Sequence, residues 1–252
     1  MKKAIFILLI IVLLGVFGYS AYLLGDYYLA KYRSDKCFAQ ASQHVHVREK
    51  PDISKPGQSG ESGEEEPASE GIDVDFEALW QINSDIVAWI YCPDTPINYP
   101  VVQSDDNDYY LRRLLDGSRN IGGTIFLDYR CTADFSGSNN IVYGHHMRTG
   151  TMFGSLKYYR EQSYYDLHPV MYLATPAGQY RVELFAGCTI DAMDNIYSPE
   201  PGLEQVERLM GRSDFIPDHE ITVDGPILTL STCSHDFKDA RYVLLGKLVP
   251  IE

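Results

Sequence analysis

The distribution of apolar residues changes character three times along the chain. Residues 4–25 (AIFILLIIVLLGVFGYSAYLLG) are apolar without a single charge, a length that crosses a bilayer as a helix. Over residues 50–71 (KPDISKPGQSGESGEEEPASEG) the apolar signal vanishes, leaving Pro, Gly, Ser and Glu with almost nothing to bury. That composition predicts a disordered spacer. From residue 72 onward, short runs of β-branched, aliphatic and aromatic residues recur between turn residues, which predicts many short strands. The expected division is an anchor over 1–25, a polar helical stub and acidic spacer over 26–71, and one folded domain over 72–252.

Within that domain the best-defined pair of elements is at the end. Residues 227–233 (ILTLSTC) read as a strand opened by Gly225-Pro226 and closed by a cysteine. A polar loop over 234–239 leads to a second strand over 240–249, and so short a connection makes the pair antiparallel. Cys233 and Arg241 are therefore expected at one end of one hairpin. Upstream, residues 86–91, 101–103, 124–129 and 140–143 read as strands, and 170–175 with 179–190 as a second hairpin. Helical spacing is expected over 76–82, 109–115, 147–159 and 199–211. Many short strands with only inserted helices argue for a mainly β barrel or sandwich.

The N-terminal run also has to be weighed as a cleaved signal peptide. It is longer than a signal core and holds no Ala-x-Ala, so a retained anchor is expected. Lys2, Lys3 and the amino terminus favour the inner side, although Lys31, Arg33 and Lys36 follow the span. The formal net charge of −14 argues against a nucleic-acid partner and suits a solvated exterior domain. Five cysteines leave at least one thiol unpaired, and neither their spacing nor that of the histidines suggests a metal site. The acidic run 105–108 lacks the Gly and distal Glu of a calcium loop and is read as a helix cap. No cofactor is implied.

Candidate chemistry gathers at strand ends. Cys233 is followed by Ser234 and preceded by Ser231 and Thr232, whereas an inert core cysteine usually sits mid-strand among aliphatics. The strand 140–143 runs into Gly144, whose missing Cβ permits a sharp turn, and then into His145 and His146. A thiol nucleophile, an imidazole to carry protons and a guanidinium to hold an oxyanion make cysteine acyl transfer the expected chemistry. These residue types do not choose between hydrolysis and transpeptidation.

Thr229-Leu230-Ser231-Thr232-Cys233 with Arg241 downstream, Tyr143-Gly144-His145, the stretch 76–111 and Phe126 to Arg130 together resemble the sortases, and specifically class B sortases, over residues 72–250. The resemblance implies an eight-stranded sortase barrel with N-terminal helices. The helix at 199–211 is similar to the insertion that marks class B, and the lid motif of pilin-polymerising class C members is absent. It implies a membrane-anchored transpeptidase that cleaves a C-terminal sorting signal after Thr and forms a thioester on Cys233. The protein is then passed to an amine of a lipid-linked peptidoglycan precursor. By resemblance, His145 is the acid/base, with His146 as competitor, and Arg241 binds the substrate carbonyl. Asn107, Leu111, Ser231, Thr189, Ile196 and Tyr197 are expected to line the signal's groove, while Arg130 and Arg148 are read as surface or structural. The implied partners are sorting-signal-bearing surface proteins, the precursor amine and the membrane. Competing readings are a cysteine peptidase that only hydrolyses, a pilin-assembling sortase, and a tethered binding domain with an inert cysteine. A fourth, an L,D-transpeptidase-like enzyme, is disfavoured because its Ser-His-Gly-Cys cluster is missing.

Overall fold

A computed structural model describes residues 2–48 and 71–251. The predicted spacer lies, apart from Gly71, outside the described residues. On its N-terminal side α1 (Lys2–Ser42) is one continuous helix, so the apolar run and the polar stub form a single rod. The apolar part is long enough to cross a membrane, and none of it is buried against the rest of the protein. The far end of the rod differs. Phe38 and Ala41 are buried, Phe38 meets the Tyr99 ring edge-on at 5.4 Å, and Asn120 Nδ2 donates to the Ala30 carbonyl at 2.7 Å. After α1, β1 (Val45–Arg48) pairs antiparallel with β2 (Gly71–Val74), and α2 (Phe76–Ile82) follows where helical spacing is expected. The expected boundary at residue 72 is thus corrected. The end of α1 and β1 belong to the folded body, because their apolar side chains have partners there.

The remaining strands are β3 (Ile86–Tyr91), β4 (Asn98–Val102), β5 (Ile125–Leu127), β6 (Asn139–Tyr143), β7 (Val170–Thr175), β8 (Gly178–Asp191), β9 (Ile227–Cys233) and β10 (Ala240–Ile251). They close into the expected eight-stranded barrel in the order β10-β8-β7-β3-β4-β5-β6-β9. Pairing is antiparallel except between β4 and β5 and between β6 and β9, which run parallel. Closure removes the free edges that an open sheet would expose.

Two apolar clusters hold the barrel. Leu228, Leu230 and Leu244 belong to the interior with Trp89, Ile90 and Leu173. Ile227, Val243 and Leu245 join a second cluster with Ile196, Val206 and Leu209. Alternate residues of β9 and β10 thus enter different clusters, as a period of two requires, and both faces of this hairpin are covered. The second cover includes α4 (Leu203–Met210), which turns Val206 and Leu209 onto the wall.

Two predicted helices are corrected. Over 109–115 only a single 3-10 turn forms, Tyr110–Arg112. The carbonyls a helix would need are taken by tertiary donors: Thr124 N–H binds Tyr110 O and Asn120 N–H binds Arg112 O, both at 3.0 Å. Over 147–159 the chain first loops, with Gly150 and Met152 at positive φ. It then forms a 3-10 segment, Gly154–Arg160, followed by α3 (Gln162–Leu167).

Candidate active site

Strand register brings the three predicted chemical groups to one end of the barrel. In the β9–β10 ladder Cys233 is the direct partner of Arg241, and cross-strand partners project from the same face. In the parallel β6–β9 ladder the last pair is Tyr143 with Ser231. Two residues further along each strand stand His145 and Cys233. The ladder is extended past its end by Gly144 N–H donating to Ser231 O at 3.1 Å and Thr232 Oγ1 donating to Gly144 O at 2.8 Å. A Cβ on Gly144 would lie 2.6 Å from the Phe153 ring, so glycine allows this close approach.

All five cysteines are free, and Cys233 is the exposed one. Burial pushes the Cys92 and Cys188 thiols up to about 11 and raises those of Cys131 and Cys37, which keeps these four protonated at neutral pH.

The two histidines make different bonds. His145 Nε2 lies 2.7 Å from the Leu111 carbonyl. A carbonyl only accepts, so Nε2 carries the proton and Nδ1 keeps the lone pair in the neutral ring. Burial lowers the His145 pKa, and the Leu111 bond opposes that only in part. His146 Nδ1 donates instead to the backbone carbonyl of Cys233 at 2.8 Å, with its ring 5.7 Å from that of His235.

Beside this end lies a wall built on one buried carboxylate. Asp128 accepts from Arg130 Nε and Nη2 at 2.9 and 2.7 Å, from Tyr143 O–H at 2.9 Å and from Asn107 Nδ2 at 3.0 Å. Burial alone would raise its pKa, but these donors, Arg130 foremost, hold it below the ordinary carboxylate range. Arg130 also reaches the Tyr197 carbonyl at 2.9 Å. Tyr197 stacks on Tyr143 at 6.1 Å and its hydroxyl lies 2.8 Å from Ser231 Oγ. Burial pushes the Tyr197 phenol up to about 12, against a lowering by Arg241, so the hydroxyl stays protonated.

The predicted groove residues therefore separate. Ser231 and Tyr197 meet on the wall, Asn107 is tied to it through Asp128, and Leu111 joins through the carbonyl that holds His145. Thr189 does not share this face. It pairs in register with Tyr242, on the opposite side of the sheet from Arg241, and its hydroxyl accepts from Arg160 at 2.9 Å. Ile196 is fully buried in the second cluster and presents no surface to a ligand.

Sequence reasoning left Asp128 without a role and gave no signal for Arg160. Arg160 forms an ion pair with Asp236 and donates to Ser234 Oγ at 3.1 Å, and Ser234 bonds Asp236. These bonds fix the loop that follows Cys233. Their partners are 74 and 76 residues apart in the chain, so no local pattern marks them.

Gly123 buttresses the His145 anchor. It has φ of +57°, and a Cβ there would lie 2.5 Å from the Leu111 carbonyl oxygen. Gly123→Ala is expected to destabilise the fold by about 1–3 kcal/mol, read as a lowered thermal midpoint. An unchanged midpoint would show that this loop relaxes freely.

The chain matches the family model for the sortase domain over residues 90–249. It is 30% identical over 250 residues to Sortase B of Listeria monocytogenes, spanning 96% of this chain and 95% of that one. Two solved sortase B structures, one of them from Staphylococcus aureus, superpose with a TM-score of 0.66 at 31% identity. One is a substrate complex, covering 70% of this chain and 85% of that chain. The other is a complex with triglycine, covering 70% and 86%.

Proposed function

The chain belongs to the class B sortases, which are cysteine transpeptidases, and we propose that it cleaves a C-terminal sorting signal after Thr and transfers the protein to an amine of a lipid-linked cell-wall precursor. The observation that carries this reading is the convergence of Cys233, His145 and Arg241 at the ends of β6, β9 and β10. The Cys233 sulfur attacks the Thr carbonyl while His145 takes the thiol proton. Arg241 stabilises the negative oxygen, since its guanidinium stays charged at any working pH. The C–N bond breaks as His145 returns the proton to the leaving amine, and a thioester remains. The acceptor amine then attacks it, a new C–N bond forms, the C–S bond breaks, and the amine's proton returns through His145 to the thiolate.

Ser231, Tyr197, Asn107 and Leu111 form the wall along which the signal lies in this reading. In this reading Thr189, whose hydroxyl accepts from Arg160, and the buried Ile196 do not touch the signal. The N-terminal helix spans the membrane once and leaves the barrel outside. The substrate complex of the staphylococcal relative and the sortase B complex with triglycine make a peptide donor and a glycine amine the natural pair to try.

The test mixes the full chain in detergent with a panel of sorting-signal peptides, with and without triglycine, and reads protein and products by mass spectrometry. An acyl adduct on Cys233, cleavage after Thr and ligation to triglycine are expected. Free acid with and without triglycine would favour a peptidase that only hydrolyses. No adduct from any peptide would favour an inert binding domain.

A further inference from the structure

A cavity of about 690 Å³ opens where α1 leaves its apolar segment and meets the loop between β4 and β5. From α1 it is lined by Asp26, Ala30 and Arg33, spaced so that they share one helix face. From the loop come Leu111, Arg112, Arg113 and Arg119. Four guanidinium groups thus line one hollow of a chain whose formal net charge is −14. Arg113 is engaged, donating to Gly117 O at 3.3 Å and lying over the Tyr109 ring at 4.7 Å. The Arg33, Arg112 and Arg119 side chains have no hydrogen bond or ion pair among the described residues. Acids also line the cavity, but Asp106 is turned onto its own loop, accepting from the Asp108 and Tyr109 N–H groups at 2.8 and 2.7 Å. That leaves Asp26 and Asp108 on the lining, with Asp116 close enough to feel the Arg33 charge.

The position of the cavity along α1 says what kind of anion meets it. Asp26 follows directly on the uncharged run, and Arg33 lies about 12 Å beyond Gly25 at the rise of an α-helix. The polar headgroup layer is about 5–8 Å thick on each side of the hydrocarbon. An α1 that spans the membrane therefore holds the cavity at and just above headgroup level. Ile121 and Tyr109, each 42% exposed, lie on its margin as interfacial residues would. Planar guanidiniums with unused donors suit the oxygens of a phosphate. The cavity also adjoins the chemistry. Leu111 lines it and holds His145 through its carbonyl, and Arg112 is near enough for its charge to act on His145 alongside burial.

We propose that this cavity binds the phosphate or diphosphate group of a membrane lipid headgroup, and that the lipid so held is the amine-bearing acceptor. The second half rests on the lipid-linked acceptor proposed above. Leu111 both lines the cavity and anchors His145, so a headgroup held here lies beside the active site.

The test uses the full chain in phosphatidylcholine nanodiscs doped with either phosphatidylglycerol or a polyprenyl diphosphate, with bound lipid read by native mass spectrometry. A third arm adds inorganic pyrophosphate as competitor. The wild type is expected to retain the diphosphate lipid, and Arg112→Gln/Arg119→Gln to retain at least tenfold less. The double lysine variant, Arg112→Lys/Arg119→Lys, should recover part of the loss and separates charge from folding. Equal retention by the wild type and the glutamine variant, or no anionic lipid held above phosphatidylcholine, would overturn the proposal. Pyrophosphate binding without any lipid retention would assign the cavity to a soluble anion and overturn the lipid assignment. Triglycine transfer on the same wild-type preparation separates the two readings. Transfer without lipid retention sinks the cavity alone, whereas lipid retention without transfer sinks the transpeptidase and leaves the headgroup site standing.

Discussion

Replacing Cys233 with alanine is expected to lower sorting-signal cleavage by about four orders of magnitude or more, because the only step that forms the acyl intermediate is lost. Peptide binding, followed by fluorescence anisotropy, should stay within about twofold, since the wall of Tyr197, Ser231 and Leu111 is untouched. No other thiol can take over. Cys92, Cys131 and Cys188 are buried, and Cys37 lies half-buried on α1 with its pKa raised chiefly by burial. Cleavage that survives in the alanine variant would refute the thioester mechanism. Loss of binding together with cleavage would instead mean that Cys233 holds the β9 end in shape.

Second in size is the difference between the neighbouring histidines. His145→Ala is expected to cost about 10²–10⁴ in kcat/KM, the usual range for a general acid–base. His146→Ala should cost far less, because its Nδ1 is bonded to the Cys233 backbone and its part is to steady that strand end. The pH profile adds a signature. Burial holds the His145 pKa below its ordinary 6.5. The neutral ring is the form that takes the thiol proton, so activity should be full at neutral pH and fall as pH drops through a value below 6.5. An acid limb centred above 6.5, or equal losses from the two variants, would count against His145 as the proton carrier.

What was legible beforehand followed from local pattern. The β9–β10 hairpin, its cysteine and its arginine were readable because a strand alternates, a short loop forces antiparallel pairing, and turn residues mark both ends. Tyr143-Gly144-His145 was readable for similar reasons. The class B helix was placed but overextended, since Pro199 to Gly202 favour extended chain over a first helical turn. The helix expected over 109–115 failed because tertiary donors took its carbonyls, which no periodicity reveals. Asp128 and the Arg160–Asp236 pair were illegible for a related reason. Each joins segments far apart in the chain, and a lone acid or base beside a strand is ordinarily a solvated charge. The side taken by Thr189 was not legible, because a register of one residue decides the side of a sheet on which a group lies, and Ile196, in a turn outside the strands, is buried by its tertiary neighbours.

The pairing of Arg48 with Gly71 across β1 and β2 changes the meaning of the acidic stretch between them. The residues that flank it stand side by side on the folded body, so the chain's path from the apolar run to the barrel goes through α1, whatever the length of that stretch. The polar half of α1 is clamped to the body by Phe38, Ala41 and the Asn120 bond to Ala30. With α1 in a bilayer as proposed above, the barrel is thereby carried at one height and one angle. In that topology it works as a fixed station, and a client protein's tail has to travel to it.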